Sequence, residues 1–251
     1  MKISSASVLS CLALFASAQA TTVGGILKHS GIVIQECAIP RTAALTFDDG
    51  PNDYEVSLNF TLKPSFHLGT FFVCGNLYHC IYYYADSLRH VFLEGHQIAS
   101  HTWTHPDLTT LSDAQIHEEM KKTEDALEAI LGVVPAYMRP PYGAVNANVS
   151  AVAKARGQDV VIWNFDSQDW NSLTPAESKA RYDAQVATNS STVLALNHET
   201  YNGTATEVLP YAIKLLKSHG YKLVTVAECM GSYPYQRVHL PARNISSYTC
   251  T

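Results

Sequence analysis

The sequence predicts an α/β protein, a single-domain distorted barrel of seven to eight (β/α) units. Three observations predict it. Seven short apolar runs rich in β-branched and aromatic residues punctuate the chain, helical periodicity fills most of the gaps between them, and 251 residues suit one large domain. Such alternation builds a parallel sheet with helices outside, and in that architecture the chemistry gathers at the carboxyl ends of the strands.

The chain opens with "MKISSASVLSCLALFASAQA", a lysine followed by an apolar run from Val8 to Ala16 and a small-residue end. This pattern reads as a secretory signal peptide over residues 1–20. The run is only half the length of about 20 apolar residues that a membrane span needs. The expected protein is therefore soluble, exported, and extracellular or cell-wall associated. Residues 21–39 read as an N-terminal extension, 40–228 as the domain and 229–251 as a C-terminal extension.

Five Asn-x-Ser/Thr sequons, at Asn59, Asn148, Asn189, Asn202 and Asn244, agree with export and surface glycans. Once Cys11 leaves with the leader, five cysteines remain, an odd count. In an oxidising compartment the expected pairs are Cys74 with Cys80 across a local loop, and Cys37 with Cys229 across the domain, pairing with Cys250 being the alternative.

Charge is sparse: 17 Lys and Arg against 22 Asp and Glu, 16% of residues, where an average chain has about 25%. There is no basic block, which argues against nucleic acid as a partner. Fourteen tyrosines and three tryptophans suit stacking on uncharged rings such as sugars. The expected state is a monomer with no membrane partner.

The predicted strands, in order, are 42–47, 69–75, 96–100, 136–140, 159–165, 192–197 and 222–226. The clearest helix is "SDAQIHEEMKKTEDALEAILG", with a capping box from Ser112 and Gln115 and a stop at Gly132.

Polar clusters follow five of these strands. "TFDDG" ends the first in a Gly-Pro turn with Asp48 and Asp49 adjacent; one carboxylate can ligate a metal while the other stays free as a base. "HTWTH" follows the third, its His101 and His105 four residues apart as if on one face of a helix or helix-like turn. Two histidines and a carboxylate with a fourth position open form the catalytic rather than the structural metal pattern.

"RPPYG" follows the fourth strand: Arg139 can orient a carboxylate, and after two prolines the first free amide is that of Tyr142, placed to hold an oxyanion. "DSQDW" and "LNHET" follow the fifth and sixth. A carboxylate such as Asp169 beside His198 would keep the imidazole protonated as a general acid, with Trp170 and Leu196 walling a pocket for a small acyl group.

Taken in this order, "TFDDG", "HTWTH", "RPPYG", "DSQDW" and "LNH" resemble the five motifs of the polysaccharide deacetylases of carbohydrate esterase family four, the NodB-homology group. The likeness spans about residues 40–228, and "GHQIASHTWTHPDLTTLS" is most similar to the fungal chitin deacetylases. The resemblance implies the NodB-homology barrel. It implies Asp48 as base, Arg139 as its tether, Asp49, His101 and His105 as ligands of zinc, cobalt or another divalent metal, and Tyr142 as the oxyanion residue. It also implies Asp169 as the carboxylate tuning the acid His198, and Trp170 and Leu196 as the acetate pocket. The reaction it implies is hydrolysis of N-acetyl groups on chitin or its oligosaccharides. An acetyl-xylan esterase with the same site, a non-catalytic chitin-binding wall protein and a glycosidase are the alternatives. The loop "LKPSFHLGTFFVCGNLYHCIYYY" departs from the family's usual pattern.

Overall fold

A computed structural model describes residues 30–54, 68–246 and 248–250. The leader at residues 1–20 and the sequon at Asn59 lie outside the described residues; Asn148, Asn189, Asn202 and Asn244 are all exposed.

The strands are β1 (Val33–Ile34), β2 (Thr42–Gly50), β3 (Thr70–Val73), β4 (Gln97–Ser100), β5 (Val133–Pro135), β6 (Tyr137–Met138), β7 (Asp159–Val161), β8 (Phe165–Asp166), β9 (Val193–His198), β10 (Lys222–Val224) and β11 (Tyr235–Val238). The helices are α1 (Ala85–Leu93), α2 (Asp113–Leu131), α3 (Ala147–Ala155), α4 (Pro175–Ala187), α5 (Leu209–Ser218) and α6 (Val226–Met230). The main sheet runs β1-β7-β6-β4-β3-β2-β9-β8, with β10 beside the first residues of β2. Every pairing in it is parallel. The result is a half-barrel ringed by helices, the expected α/β class.

The expected strand over 159–165 is two strands. β8 ends the sheet order and β7 stands next to β1 at the other end, yet only three residues separate the two, a span of at most about 14 Å. The sheet must therefore curl until its ends approach. Residues 162–164 bridge the gap: the amide of Ile162 donates to Ile34 O, that of Asn164 to Leu194 O, and Asn164 Oδ1 accepts from the amide of Leu194. The expected strand over 136–140 is the shorter β6 in the barrel, and β5, just before it, forms a separate antiparallel pair with β11.

Alternation along β2 sorts its side chains. Ala43, Leu45 and Phe47 join the core under the helices, while Ala44 faces the barrel interior with Thr46 and Asp48 next in its series. β9 does the same, with Val193 and Ala195 outward and Leu194, Leu196 and His198 inward. β2 and β9 are in register so that Asp48 and His198 are Cα partners. Both inward series thus end at one rim.

α2 starts at the expected capping box, where Gln115 Oε1 accepts from Ser112 N at 3.0 Å and Ser112 Oγ at 2.8 Å, and it stops at Gly132 with φ 75°. Its buried stripe is Ile116, Met120, Thr123, Leu127 and Ile130. Arg156 after α3 grips Glu124 of α2 through two hydrogen bonds of 2.8 and 2.6 Å. β1 lies in the main sheet and the amides of Ala38 and Ile39 donate to Cys229 O, so residues 33–39 are continuous with the barrel. Among the described residues no helix is long and apolar enough to cross a membrane.

Cys37 is bonded to Cys229, but the expected Cys74–Cys80 pair is not formed: Cys80 is bonded to Cys250, and Cys74 is a buried free thiol. Nearness in sequence misleads here because the two side chains belong to different environments. Cys74 leaves β3 pointing into the interior, its Sγ donating to His101 O at 3.3 Å, whereas Cys80 caps the 3-10 turn Ile81–Tyr84 at the rim, where the C-terminal tail arrives.

Candidate active site

Asp48 is 2% exposed at the end of the inward series of β2. A carboxylate so deeply buried needs a cation, and Arg139, fully buried after β6, supplies it through Nη1 to Asp48 Oδ1 at 2.7 Å. The guanidinium is itself fixed: Nη1 also donates to Thr46 Oγ1 (2.6 Å), Nε to Val161 O (3.1 Å) and Nη2 to Ile162 O (2.9 Å), with the Phe72 ring 4.3 Å from its centre. Burial pulls Arg139 below its ordinary pKa and Asp48 pulls it back up. Asp48 Oδ2 is left facing His101 Nε2 at 3.7 Å.

Asp49 breaks the alternation. Its φ of 71° turns it out of the strand path just before the cis Gly50–Pro51 bond, so two neighbouring carboxylates face one space. Aspartate tolerates this left-handed backbone better than most residues. Gly50 has no room for a side chain, since a Cβ there would fall 1.0 Å from Glu199 Oε1.

The "HTWTH" segment is not helical, contrary to the sequence expectation: residues 101–107 form an irregular loop with left-handed φ at Thr102 (72°) and His105 (60°). A distant carboxylate holds it. Glu119 of α2 accepts from Trp103 N (2.9 Å), Thr104 N (2.8 Å) and Thr104 Oγ1 (2.8 Å). Trp103 also packs on Gly75, where a Cβ would lie 1.7 Å from the indole. No local signal in the sequence points to Glu119, which sits more than a dozen residues downstream on another element.

In this loop His101 Nδ1 donates to Arg139 O at 2.7 Å. A carbonyl only accepts, so Nδ1 carries the proton and the Nε2 lone pair faces Asp49. His101 Nε2 and His105 Nε2 lie 3.5 and 3.4 Å from Asp49 Oδ1. That oxygen is buried without a hydrogen-bond donor. Burial above all lowers His105 to about 4, so its lone pair is free at neutral pH. For Asp49 burial acts upward, but His101, His198 and His105 outweigh it and leave the carboxyl below its ordinary value. One donor atom from each of Asp49, His101 and His105 lies within 4.8 Å of the others. An orphaned anionic oxygen between two imidazole lone pairs is a donor set that fits a divalent cation.

Across the cleft, His198 Nδ1 donates to Asp169 Oδ1 at 2.8 Å, while Asp169 Oδ2 accepts from His198 N and Thr204 Oγ1, each at 2.8 Å. Burial lowers the pKa of His198, but the hydrogen bond and charge of Asp169, with Asp48 and Asp49 adding, carry it up to about 9. The loop presenting Asp169 is organised by Asp166, whose Oδ1 accepts from the amide of Gln168 (2.7 Å) and whose Oδ2 accepts from Trp170 Nε1 (3.3 Å).

Asp48, Asp49, His101, His105, Tyr142, Trp170, Leu196 and His198 all line one cleft of about 260 Å³, joined by Pro140, Gly143 and Trp163. Arg139 and Asp169 stand behind it, each bonded to a lining residue. Tyr142 has φ 59° and its ring packs edge-on to His105, centroids 4.8 Å apart. Thr46, Glu119, Trp163, Asp166 and Thr204 are contributors that sequence reading did not single out.

A family model described as polysaccharide deacetylase matches residues 35–161, which hold "TFDDG", "HTWTH" and "RPPYG". The chitin deacetylase of Pestalotiopsis sp is 38% identical over 201 residues, 80% of this chain and 67% of that protein. The chitin deacetylase of Colletotrichum lindemuthianum is 33% identical over 211 residues, 81% of this chain and 85% of that protein. The solved structure of the chitin deacetylase from Colletotrichum lindemuthianum matches with a TM-score of 0.80 at 31% identity, covering 87% of this chain and 99% of that one.

Proposed function

The chain belongs to the polysaccharide deacetylase family, and from that premise we propose that it is a metal-dependent chitin deacetylase, releasing acetate from N-acetylglucosamine units of chitin or its oligosaccharides. The observation that carries the reading is the opposition of two charge-fixed groups across one cleft. Asp48 is paired with Arg139 on one side and His198 with Asp169 on the other, with the Asp49, His101 and His105 cluster beside Asp48.

A divalent cation held by Asp49, His101 and His105 would polarise the acetyl carbonyl and make water acidic enough to attack it. Asp48 accepts the proton of that water at Oδ2, because Oδ1 is committed to Arg139. The Tyr142 amide donates to the oxyanion as the carbonyl becomes tetrahedral. His198 then delivers a proton from Nε2 to the amine nitrogen as the C–N bond breaks, which an amide needs because a free amide anion is a very poor leaving group. Acetate is enclosed by Trp170 and Leu196, which line the cleft. One group ionised and one protonated at the same pH is the division of labour that a base and an acid require.

The two-histidine, one-carboxylate set suits zinc, with cobalt a workable substitute. The disulfides and the signal-like leader support secretion to the exterior or the cell wall, where the enzyme acts as a monomer. The test is acetate release from chitin oligosaccharides and from acetylated xylan, with and without chelator. Chelator-sensitive release from chitin oligosaccharides is expected; release from xylan alone would assign the site to O-acetyl esters instead.

A further inference from the structure

Asp169, which holds His198, is itself held by a residue with no place in the five motifs. Asp169 Oδ1 is used once, by His198 Nδ1; Oδ2 is used twice, by the His198 amide and by Thr204 Oγ1. The two donors of His198 reach opposite oxygens of the carboxylate, but side chain and amide belong to a single strand end, so they orient Asp169 only relative to His198 itself. The third donor comes from a different element. Thr204 is 2% exposed, so no bulk water competes for its hydroxyl.

The backbone that presents Thr204 is unusual and well anchored. Residues Thr204–Val208 form a π-helical turn running directly into α5, a conformation that recurs at functional sites. Ala205 and Val208 are each 1% exposed in the main core. Gly203 lets the turn close on the start of α4: a Cβ there would lie 2.8 Å from Pro175 Cγ. Packing on two helices therefore sets the position of the Thr204 hydroxyl independently of β9.

We infer that Thr204 is a positioning residue for proton delivery: its hydroxyl fixes the Asp169 carboxylate so that the His198 ring keeps Nε2 directed at the departing nitrogen. The inference rests on His198 acting as the acid in the function proposed above. Thr204 also completes the sequon Asn202-Gly203-Thr204, so the same side chain that licenses a glycan at the surface serves the proton donor inside. Any test must separate the two.

The experiment compares wild type with Thr204→Val, Thr204→Ala, Thr204→Ser and Asn202→Gln on two substrates. A chitin oligosaccharide requires protonation of its amine leaving group; p-nitrophenyl acetate does not, because its phenolate departs unaided. Thr204→Val and Thr204→Ala are expected to lower kcat on the oligosaccharide by about tenfold to a hundredfold with KM held, while p-nitrophenyl acetate hydrolysis changes by less than about twofold. Thr204→Ser, which keeps hydroxyl and sequon, restores oligosaccharide turnover, and Asn202→Gln, which removes only the glycan, leaves it intact.

Equal losses on both substrates would mean a merely structural role, undiminished oligosaccharide turnover in Thr204→Val would mean no role, and a matching loss in Asn202→Gln would assign the effect to the glycan; each overturns the inference. Crystal structures of wild type and Thr204→Val give a readout independent of turnover: the Asp169 carboxylate is expected to rotate in the variant, and an unmoved carboxylate counts against the inference. A wild type inactive on the oligosaccharide, with that rotation seen, would instead refute the proposed function and leave the positioning intact.

Discussion

His101, just after β4, and His198, at the end of β9, are inward-facing histidines at one rim of the same sheet, and each donates Nδ1–H to a single oxygen at 2.7 or 2.8 Å. The oxygens differ. That of Arg139 is a neutral carbonyl, which fixes a tautomer and leaves the Nε2 lone pair beside Asp49 for a cation; that of Asp169 is a carboxylate, which keeps the ring charged and makes Nε2 a proton donor. In the proposed function the same residue type serves as a ligand on one side of the cleft and an acid on the other through the charge of one acceptor. Asp48 and Asp49 divide in the same way: one is tied to Arg139, the other is left with a buried, donorless oxygen.

The largest expected effect comes from disabling the ligand side's base. Asp48→Asn preserves the shape of the Arg139 contact and is expected to retain fold and metal while losing turnover by about 10³-fold. Melting temperature, metal content and acetate release check the three parts separately. Loss of the metal site ranks next: His105→Ala is expected to bind less than one metal per chain and to fall with chelator-treated wild type, as metal analysis beside activity will show. Wild-type metal content in that variant would separate His105 from the ligand set.

Asp169→Asn sharpens the comparison most, because it gives His198 the kind of neutral acceptor that His101 has. His198 stands up to about 9 against an ordinary value of 6.5, so activity that needs the protonated ring should fall as pH rises through the folded value. A cation held by the triad would repel the imidazolium and draw that limb below 9. In Asp169→Asn the limb is expected to move down toward 6.5 and kcat at neutral pH to drop by about a hundredfold. The sign for stability follows the same direction. The charged pair contributes fully below about 6.5 and is lost as pH rises through about 9; wild type should therefore lose more thermal stability over that interval than the variant.

A smaller effect is expected from Glu119→Gln. Its carboxylate accepts three hydrogen bonds from the loop carrying His105, so the variant should weaken metal affinity by about tenfold, measured by competition with a chromogenic chelator, and leave His198's pH limb in place.

The sheet and the inward series were legible because alternation is a local pattern: Ala44, Thr46 and Asp48 share a face whatever the rest of the chain does. The motif residues were legible because each follows a strand. What escaped was fixed by tertiary contact. The left-handed turns at Thr102 and His105 depend on Glu119 in another element, and spacing alone suggests a helix there. The break at residues 162–164 follows from barrel curvature, which a run such as "DVVIWNF" does not encode. Cys80 pairs with a tail residue 170 positions away, and Cys74 remains free beneath His101, an outcome set by which way two nearby side chains point.

The two-sided cleft is tested most directly by mass spectrometry of a chitin oligosaccharide incubated with the metal-loaded protein, the chelated protein and Asp48→Asn. The metal-loaded protein alone is expected to convert the oligosaccharide to products of unchanged chain length that have lost acetyl groups, with acetate in matching amount. Shortened oligosaccharides that keep their acetyl groups, or full deacetylation by Asp48→Asn, would contradict the assignment of Asp48 as base in a metal-dependent deacetylase.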